Sequence, residues 1–579
     1  MKTLLIAVNA KYIHSNLAVY SLKAYAGQDN PDLEIAEYTI NHLREDILAD
    51  IYRRQPDVAA FSCYLWNIEY IRALIPEVRQ VLPNVKIWVG GPEVSYDASA
   101  FLEAFPQVEL VMNGEGEKTL TELLQVPEGK SLEEIDGITW RDQDGQIHVN
   151  RPRSLMNLDE IPFMYRDLGV FENRIIYYES SRGCPFSCSY CMSSIDKKVR
   201  FRSLDLVKKE LQFFLDNKVP QVKFVDRTFN CKKAHSMGIW QYIKEHDNGV
   251  TNFHFEISAD LLKEDEISLL NSLRPGLVQL EVGVQSTNPQ TLEAIHRSAS
   301  FQKISDAVEA VHKGKNIHQH LDLIAGLPYE NLESFHQSFN DVYALQPQQF
   351  QLGFLKVLKG SDMHEKAEGF GIVYRELPPY EVLKTRWVSY GEMLKLKSIE
   401  EMVEVYYNSC QFAYTISYLE GLVPDAYGLY EQLAEFYETR GYNGKSHSRL
   451  GRFQILREFA LSLEGCSQEE CEDRLLYDLY LRENSKSRPA WAKDPIGKSD
   501  DPKIREKISD FYRREAEEHR YLHYDEKYQA RQLMHMTHLE KFHDGTWVLF
   551  DYGRRDPLTG DAVTWKFSEL PMEKMNAEK

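Results

Sequence analysis

The chain is short of the features that mark secreted, membrane-spanning or nucleic-acid-binding proteins. Its 8 cysteines in 579 residues are too few and too uneven for a secreted disulfide framework. No apolar run approaches the ~20 residues that a membrane-spanning helix needs. The opening Met1-Lys2-Thr3-Leu4-Leu5-Ile6-Ala7-Val8 runs into polar Asn9, so no secretory signal is expected. Positive charge is also scarce: 68 Lys and Arg stand against 88 Asp and Glu, a net charge of −20. Gripping a phosphate backbone takes basic residues that replace counterions, so nucleic acid is not expected as a partner. There is no low-complexity linker and no tandem repeat. A G-x-G-x-x-G fingerprint is missing after the first strand, which argues against a nicotinamide cofactor. What remains is a cytoplasmic protein of several domains, with 43% hydrophobic residues to fill their cores.

Against that background three cysteines stand out. Ser180-Ser181-Arg182-Gly183-Cys184-Pro185-Phe186-Ser187-Cys188-Ser189-Tyr190-Cys191 spaces Cys184, Cys188 and Cys191 as C-x3-C-x2-C. Three thiolates that close can hold three irons of a 4Fe–4S cube and leave the fourth iron open to a substrate. The alternative is a zinc knot. Structural zinc wants four ligands, usually as two separated pairs, and no fourth ligand of that kind sits nearby.

Residues 1 to 125 alternate apolar strands with helical spacing. Strands are expected at Thr3–Val8, Glu34–Thr39, Asp57–Ser62, Lys86–Val89 and Val108–Met112, with helices such as Leu17–Tyr25 and Ile68–Val81 between them. The fold class is α/β, and this part reads as a doubly wound parallel sheet. Such sheets bind ligands beyond the carboxyl ends of their strands. Those ends carry Asn9, then His14; Ser62, then Cys63; Gly90-Gly91-Pro92-Glu93; and Gly114-Glu115-Gly116-Glu117. Glycines there let backbone approach a flat ligand. Residues 126 to 170 read as a linker with a small hairpin around Asp144-Gly145.

From 171 to 374 six βα units can be counted, with strands starting near Ile175, Val219, Asn252, Leu277, Asn316 and Gln349. Six units make a partial (β/α) barrel, whose chemistry sits at the carboxyl ends of its strands. The polar motifs fall there: the cysteine loop, Val225-Asp226-Arg227, Glu256-Ile257-Ser258, Glu281-Val282-Gly283-Val284-Gln285-Ser286 and Gly326-Leu327-Pro328-Tyr329-Glu330. Residues 375 to 579 read as a mainly helical third domain, with a strand-like Thr546–Tyr552 near the end. Cys63 and Cys231 read as core thiols. Cys466 with Cys471, and His535, His538 and His543, are candidate metal groups of low specificity.

The cysteine loop, the Gly-Val-Gln-Ser and Gly-Leu-Pro-x-Glu segments, and the Gly-Gly-Pro-Glu and Gly-Glu-Gly-Glu turns together resemble the radical S-adenosylmethionine (SAM) superfamily, in its branch with a front cobalamin-binding domain. The resemblance covers about two thirds of the chain, and the helical tail resembles the uncharacterised tail of some members. It implies a 4Fe–4S cluster on Cys184, Cys188 and Cys191 with SAM on the open iron. Tyr190, Asp226, Glu256, Ser258, Glu281 and Gln285 are then candidate SAM contacts. Asp226 stands where many members have Gly-Gly-Glu. Asn9, His14, Ser62, Gly90, Gly91, Glu93, Gly114 and Glu115 are candidate cobalamin contacts. D-x-H-x-x-G is absent, so cobalamin is expected without a lower histidine ligand. The implied activity is methyl transfer, by way of a 5′-deoxyadenosyl radical, to an unactivated carbon of a small molecule, lipid-like precursor or peptide. A flavodoxin or ferredoxin would supply the electron. Alternatives are rearrangement or oxidation without methyl transfer, a radical SAM enzyme that has lost cobalamin, and a non-catalytic sensor. No catalytic side chain is singled out.

Overall fold

The first strand, β1 (Thr3–Asn9), is buried along its whole length. Burial on both faces is what a continuous apolar run in a parallel sheet requires. This computed structural model describes residues 1–28, 30–126, 131–485, 488–492 and 502–571. After β1 come β2 (Leu33–Thr39), β3 (Val58–Ser62), β4 (Lys86–Gly90) and β5 (Leu110–Met112), with helices between them. The helix Ile68–Val81 buries Ile68, Ile71, Leu74, Ile75 and Val78, a stripe at helical period that packs on the sheet. The helix Leu17–Ala26 starts at Asn16, whose side chain accepts from Val19 N at 3.4 Å.

The hairpin placed in the linker belongs to this sheet. Its strands β6 (Ile138–Arg141) and β7 (Ile147–Val149) extend it to seven strands in the order β2-β1-β3-β4-β5-β6-β7. β5 and β6 pair antiparallel, with Leu110 opposite Trp140. The physical reason is the edge: without β6 the short β5 would present unpaired backbone, and Ile138 completes the core there. β1 pairs parallel with both β2 and β3. Winding therefore reverses at β1, and the crevice beyond Asn9 and Ser62 is the switch point.

The second sheet opens with β8 (Ile176–Tyr178). A two-residue ribbon, β9 (Ser181–Arg182) against β10 (Arg200–Phe201), closes the cysteine loop that follows. The sheet continues through β11 (Gln221–Phe224), β12 (Asn252–Ile257), β13 (Val278–Gln285), β14 (His318–Ala325) and β15 (Gln349–Phe354), in the order β8-β11-β12-β13-β14-β15. The pairings from β8 to β14 are parallel. Side chains alternate across each strand. On β12, Phe253, Phe255 and Ile257 are buried, while His254 and Glu256 lie on the opposite face. These are the six expected strands of the partial barrel.

The chain divides into two compact units: Met1–Phe335 with Gly353–Tyr390, and His336–Leu352 with Gly391–Lys579. The first also holds the ribbon β16 (Val373–Tyr374) and β17 (Val382–Lys384). The second is mainly helical, with Ala413–Glu420, Ala426–Thr439, Arg449–Ala460 and Gln468–Arg482. It ends in an antiparallel meander of β18 (Thr537–Lys541), β19 (Trp547–Arg555) and β20 (Ala562–Phe567). His538 meets Glu540 at 2.9 Å and His543 meets Asp473 at 2.7 Å, so these two histidines pair with different carboxylates. Among the described residues no helix is long and apolar enough to cross a membrane.

Candidate active site

The cysteine loop is pinned by backbone. Gly183 has φ +98°, and a Cβ there would lie 2.8 Å from Lys198 O, so only glycine fits. Cys184 N donates to Asp196 O at 3.0 Å, Ser189 N to Ile295 O at 3.0 Å, and Met363 N to Ser189 O at 2.7 Å. Cys184 and Cys188 are buried, and Cys191 is partly exposed. Two residues that the sequence did not single out flank the thiols. Thr228 Oγ1 lies 3.5 Å from Cys184 Sγ, and Arg297 Nη1 lies 3.7 Å from Cys188 Sγ. Arg297 also donates to Gly283 O on β13. Burial pushes the Cys188 thiol up, and the Arg297 guanidinium opposes that. Tyr190 stands beside Cys188 and Arg297, its hydroxyl pKa raised by burial.

Asp226 is fully buried just past β11. Its Oδ2 accepts from Ser180 N at 2.9 Å, and its Oδ1 accepts from Ser180 Oγ at 2.7 Å and from Ser181 Oγ. Ser180 Oγ also lies 2.9 Å from His235 Nε2. Burial pushes the carboxyl up to about 6 against these hydrogen bonds. Its acceptors are thus engaged by the turn that leads into the cysteines. Ser258 Oγ donates to Asp260 at 2.6 Å, and the Ser258 backbone exchanges hydrogen bonds with the Asn230 amide, 2.9 Å each way. Gln285 ends β13 with φ +73°, beside a register shift, and its buried Oε1 has no hydrogen-bond partner.

Glu256 and Glu281 sit lower. Glu281 precedes Gln285 by four residues, roughly 13 Å along a strand. Its Oε2 meets His254 Nε2 at 2.8 Å and Lys223 Nζ at 3.2 Å. Those partners draw its carboxyl down to about 2 despite burial. Glu256 Oε2 lies 3.7 Å from Arg227 Nη1; burial pushes that carboxyl up to about 7, with Glu281 adding to the rise. The pattern His318-x-His320-x-Asp322 on β14 places three polar side chains on the same face. That alternation was readable in the sequence and was missed.

In the first sheet, a cavity of about 870 Å³ covers the strand ends. It is lined by Asn9, His14, Ser62, Gly90, Gly91, Gly114 and Glu115, and also by Tyr64, Trp66, Tyr177, Glu179, Arg182 and Arg227. Glu93 lies off this lining, buried, and accepts from the Tyr380 hydroxyl at 2.8 Å. Gly91 has φ +118°, and a Cβ there would lie 2.4 Å from Cys63 O. Around Gly114, φ +73°, the space is open. The volume is at the upper end for small-molecule sites. The glycine turns and the stacked Tyr64 and Trp66, 4.5 Å apart, suit a wide flat ligand such as a corrin. His14 Nδ1 lies 2.6 Å from the Tyr177 hydroxyl, and burial, with Lys11 and Lys223 nearby, keeps its pKa low. Asn9 Nδ2 donates to His14 O at 3.0 Å, and Asn16 Nδ2 donates to Ser62 Oγ at 3.2 Å.

An ion cluster joins this rim to the cysteine loop. Arg182 Nη2 reaches Glu117 at 2.9 Å and Glu179 at 2.8 Å, and its Nη1 is 3.3 Å from Glu115. Glu115 also pairs with Arg200 at 2.5 Å. A cavity at the switch point of one sheet is thereby tied to a three-cysteine loop at the carboxyl end of a barrel strand.

Known families match the chain in the same order. Residues 3–124 match the B12 binding domain, residues 178–342 the Radical SAM superfamily, and residues 368–549 a protein of unknown function, DUF4080. The chain thus carries a B12 binding domain followed by a radical SAM domain, and these domains imply cobalamin, a 4Fe–4S cluster and SAM as cofactors. Among curated relatives, an uncharacterized methyltransferase of Pyrococcus horikoshii is 27% identical over 309 residues, 50% of this chain and 64% of that one. The anaerobic magnesium-protoporphyrin IX monomethyl ester cyclase of Cereibacter sphaeroides is 22% identical over 345 residues, 55% of this chain and 54% of that one. The chain thus spans between half and two thirds of the length of these relatives. The solved structure of the radical SAM methyltransferase TsrM from Kitasatospora setae, with cobalamin and a [4Fe-4S] cluster bound, has the same fold at 19% identity. Its TM-score is 0.54, over 66% of this chain and 79% of that one.

Proposed function

We propose that this protein is a cobalamin-dependent radical SAM methyltransferase acting on an unactivated carbon of a small molecule, lipid-like precursor or peptide. The observation that carries this reading is the shared cavity, in which the strand ends of the first sheet and Tyr177, Glu179, Arg182 and Arg227 of the barrel line the same space. When bound, the cluster and SAM supply a 5′-deoxyadenosyl radical, and cobalamin supplies the methyl group. Cys184, Cys188 and Cys191 would hold three irons. Arg297 offsets negative charge at Cys188, and Asp226 holds Ser180 and Ser181 so that the loop keeps its shape. Gln285, with its unpartnered buried Oε1, and Ser258 are the polar groups nearest in sequence to the strand ends where SAM is expected, and Tyr190 would flank its adenine. Gly90, Gly91 and Gly114 give the corrin its seat. His14, its Nδ1 engaged by the Tyr177 hydroxyl, is a contact rather than a cobalt ligand. We assign residues 1–125 to cobalamin, 126–170 to a linker whose hairpin joins the front sheet, 171–374 to the barrel and 375–579 to a mainly helical C-terminal domain. The reaction needs a reductant such as flavodoxin or ferredoxin and a cytoplasmic, low-oxygen setting. The net charge of −20 disfavours a nucleic-acid substrate.

A second reading, ring closure or oxidation without methyl transfer, is favoured by the relative named as a cyclase. Anaerobic reconstitution with iron, sulfide and cobalamin tests both. Bound iron, bound corrin and SAM cleavage to 5′-deoxyadenosine are expected together, and replacing Cys184, Cys188 and Cys191 by Ala should abolish cleavage. Absence of cluster-dependent cleavage sinks the radical reading. Cleavage without retained corrin removes cobalamin, and S-adenosylhomocysteine released with each turnover separates methyl transfer from cyclisation.

A further inference from the structure

The polar face of the barrel holds a group of side chains that the proposed chemistry does not use. β13 and β14 pair with Glu281 opposite His320 and Gly283 opposite Asp322. His320 and Asp322, two residues apart on one strand, share a face. One ligand atom from each of Glu281, His320 and Asp322 lies within 4.8 Å of the other two. His320 is 8% exposed. Its Nε2 is 3.0 Å from Asp322 Oδ1, yet neither buried atom has a hydrogen-bond partner of adequate geometry. The three side chains thus bring their ligand atoms into one small region of the barrel.

We propose that Glu281, His320 and Asp322 form a site for one divalent first-row cation of the Mn²⁺, Fe²⁺ or Zn²⁺ class inside the barrel. One imidazole nitrogen and two carboxylate oxygens are a donor set these ions accept. The site also has an outer support. His254 Nε2 and Lys223 Nζ both engage Oε2 of Glu281, which fixes the carboxylate. Lys223 is cationic and tempers the affinity. The side chains of Asp322 and Glu281 are 17% and 22% exposed, so an ion has a way in and water or a substrate oxygen can complete its coordination. None of the three is a cysteine, so the site stands or falls separately from the iron–sulfur reading.

The test is a Mn²⁺ titration of the full-length, cluster-loaded protein under anaerobic conditions, followed by electron paramagnetic resonance of the free ion. Mn²⁺ prefers oxygen and nitrogen to thiolate, so the cysteine loop does not compete. One Mn²⁺ per chain is expected, displaced by Zn²⁺, with pulsed spectra showing coupling to a single histidine nitrogen. Asp322→Asn and His320→Gln should each weaken binding at least tenfold, while iron content and the thermal midpoint stay as in the unaltered chain. Titration of the unaltered chain decides the matter even if a variant fails to fold. No saturable uptake, or bound Mn²⁺ without nitrogen coupling, overturns the proposal. So does uptake that both variants leave unchanged.

Discussion

Asp226 accepts three hydrogen bonds from Ser180 and Ser181 and has no exposed surface. Asp226→Ala would strand those donors in the interior, at a cost on the order of 3 kcal/mol. Denaturant unfolding should show that loss, and the purified variant should hold less iron than the unaltered chain because the turn before Cys184 slackens. An unchanged midpoint and iron content would remove Asp226 from the loop's support. Asp478, in the second unit, is likewise fully buried, with donors from Tyr414 N, Thr415 N and Thr415 Oγ1. Burial nevertheless pushes its carboxyl up from 3.8 to about 7. The folded state therefore keeps a proton that the unfolded chain gives up near pH 4, and this contribution to stability falls as pH rises from about 4 to 7. Its full size is on the order of 4 kcal/mol. Asp478→Asn should flatten that slope relative to the unaltered chain; equal slopes would show that the group does not titrate in this window.

At the scale of elements, the strands were legible because their apolar runs and glycine turns are short and regular. β1, β3, β4 and the six barrel strands stand where periodicity puts them. The hairpin of β6 and β7 was visible as a hairpin, but its membership of the first sheet was not. Which edge accepts a hairpin depends on tertiary pairing that alternation does not encode. The cysteine loop was legible from its spacing. Arg297 was not, because an arginine after a short helix carries no signal until folding brings it to Cys188. Asp226 was readable as polar at a strand end, but its engagement with Ser180 and Ser181 was not. The β4 turn offers a test of the corrin seat. Gly91→Ala places a Cβ 2.4 Å from Cys63 O at φ +118°, strain of roughly 1–3 kcal/mol. Corrin retention should drop several-fold while iron content holds. Full corrin in the variant would move the seat elsewhere.

For the molecule as a whole, the sequence suggested three successive domains, whereas compactness divides the chain so that His336–Leu352 belongs with the distant C-terminal helices. Phe339 packs on Tyr427 and Tyr430, and the Tyr343 hydroxyl meets that of Tyr430 at 3.2 Å. A chain ending at Tyr390 would therefore leave Phe339 and Tyr343 without part of their aromatic cover. It should aggregate or bind a hydrophobic dye; a soluble, monodisperse product that cleaves SAM would contradict this. Modularity is limited at the other end as well. Arg182 stands two residues before Cys184, and its guanidinium ends on Glu115 and Glu117 of the front sheet. Front sheet and barrel are thus keyed to each other. A transplanted front sheet without both acids would leave Arg182 with Glu179 as its remaining carboxylate partner of the three beside the cysteine loop, so the two halves are best exchanged as a fitted pair.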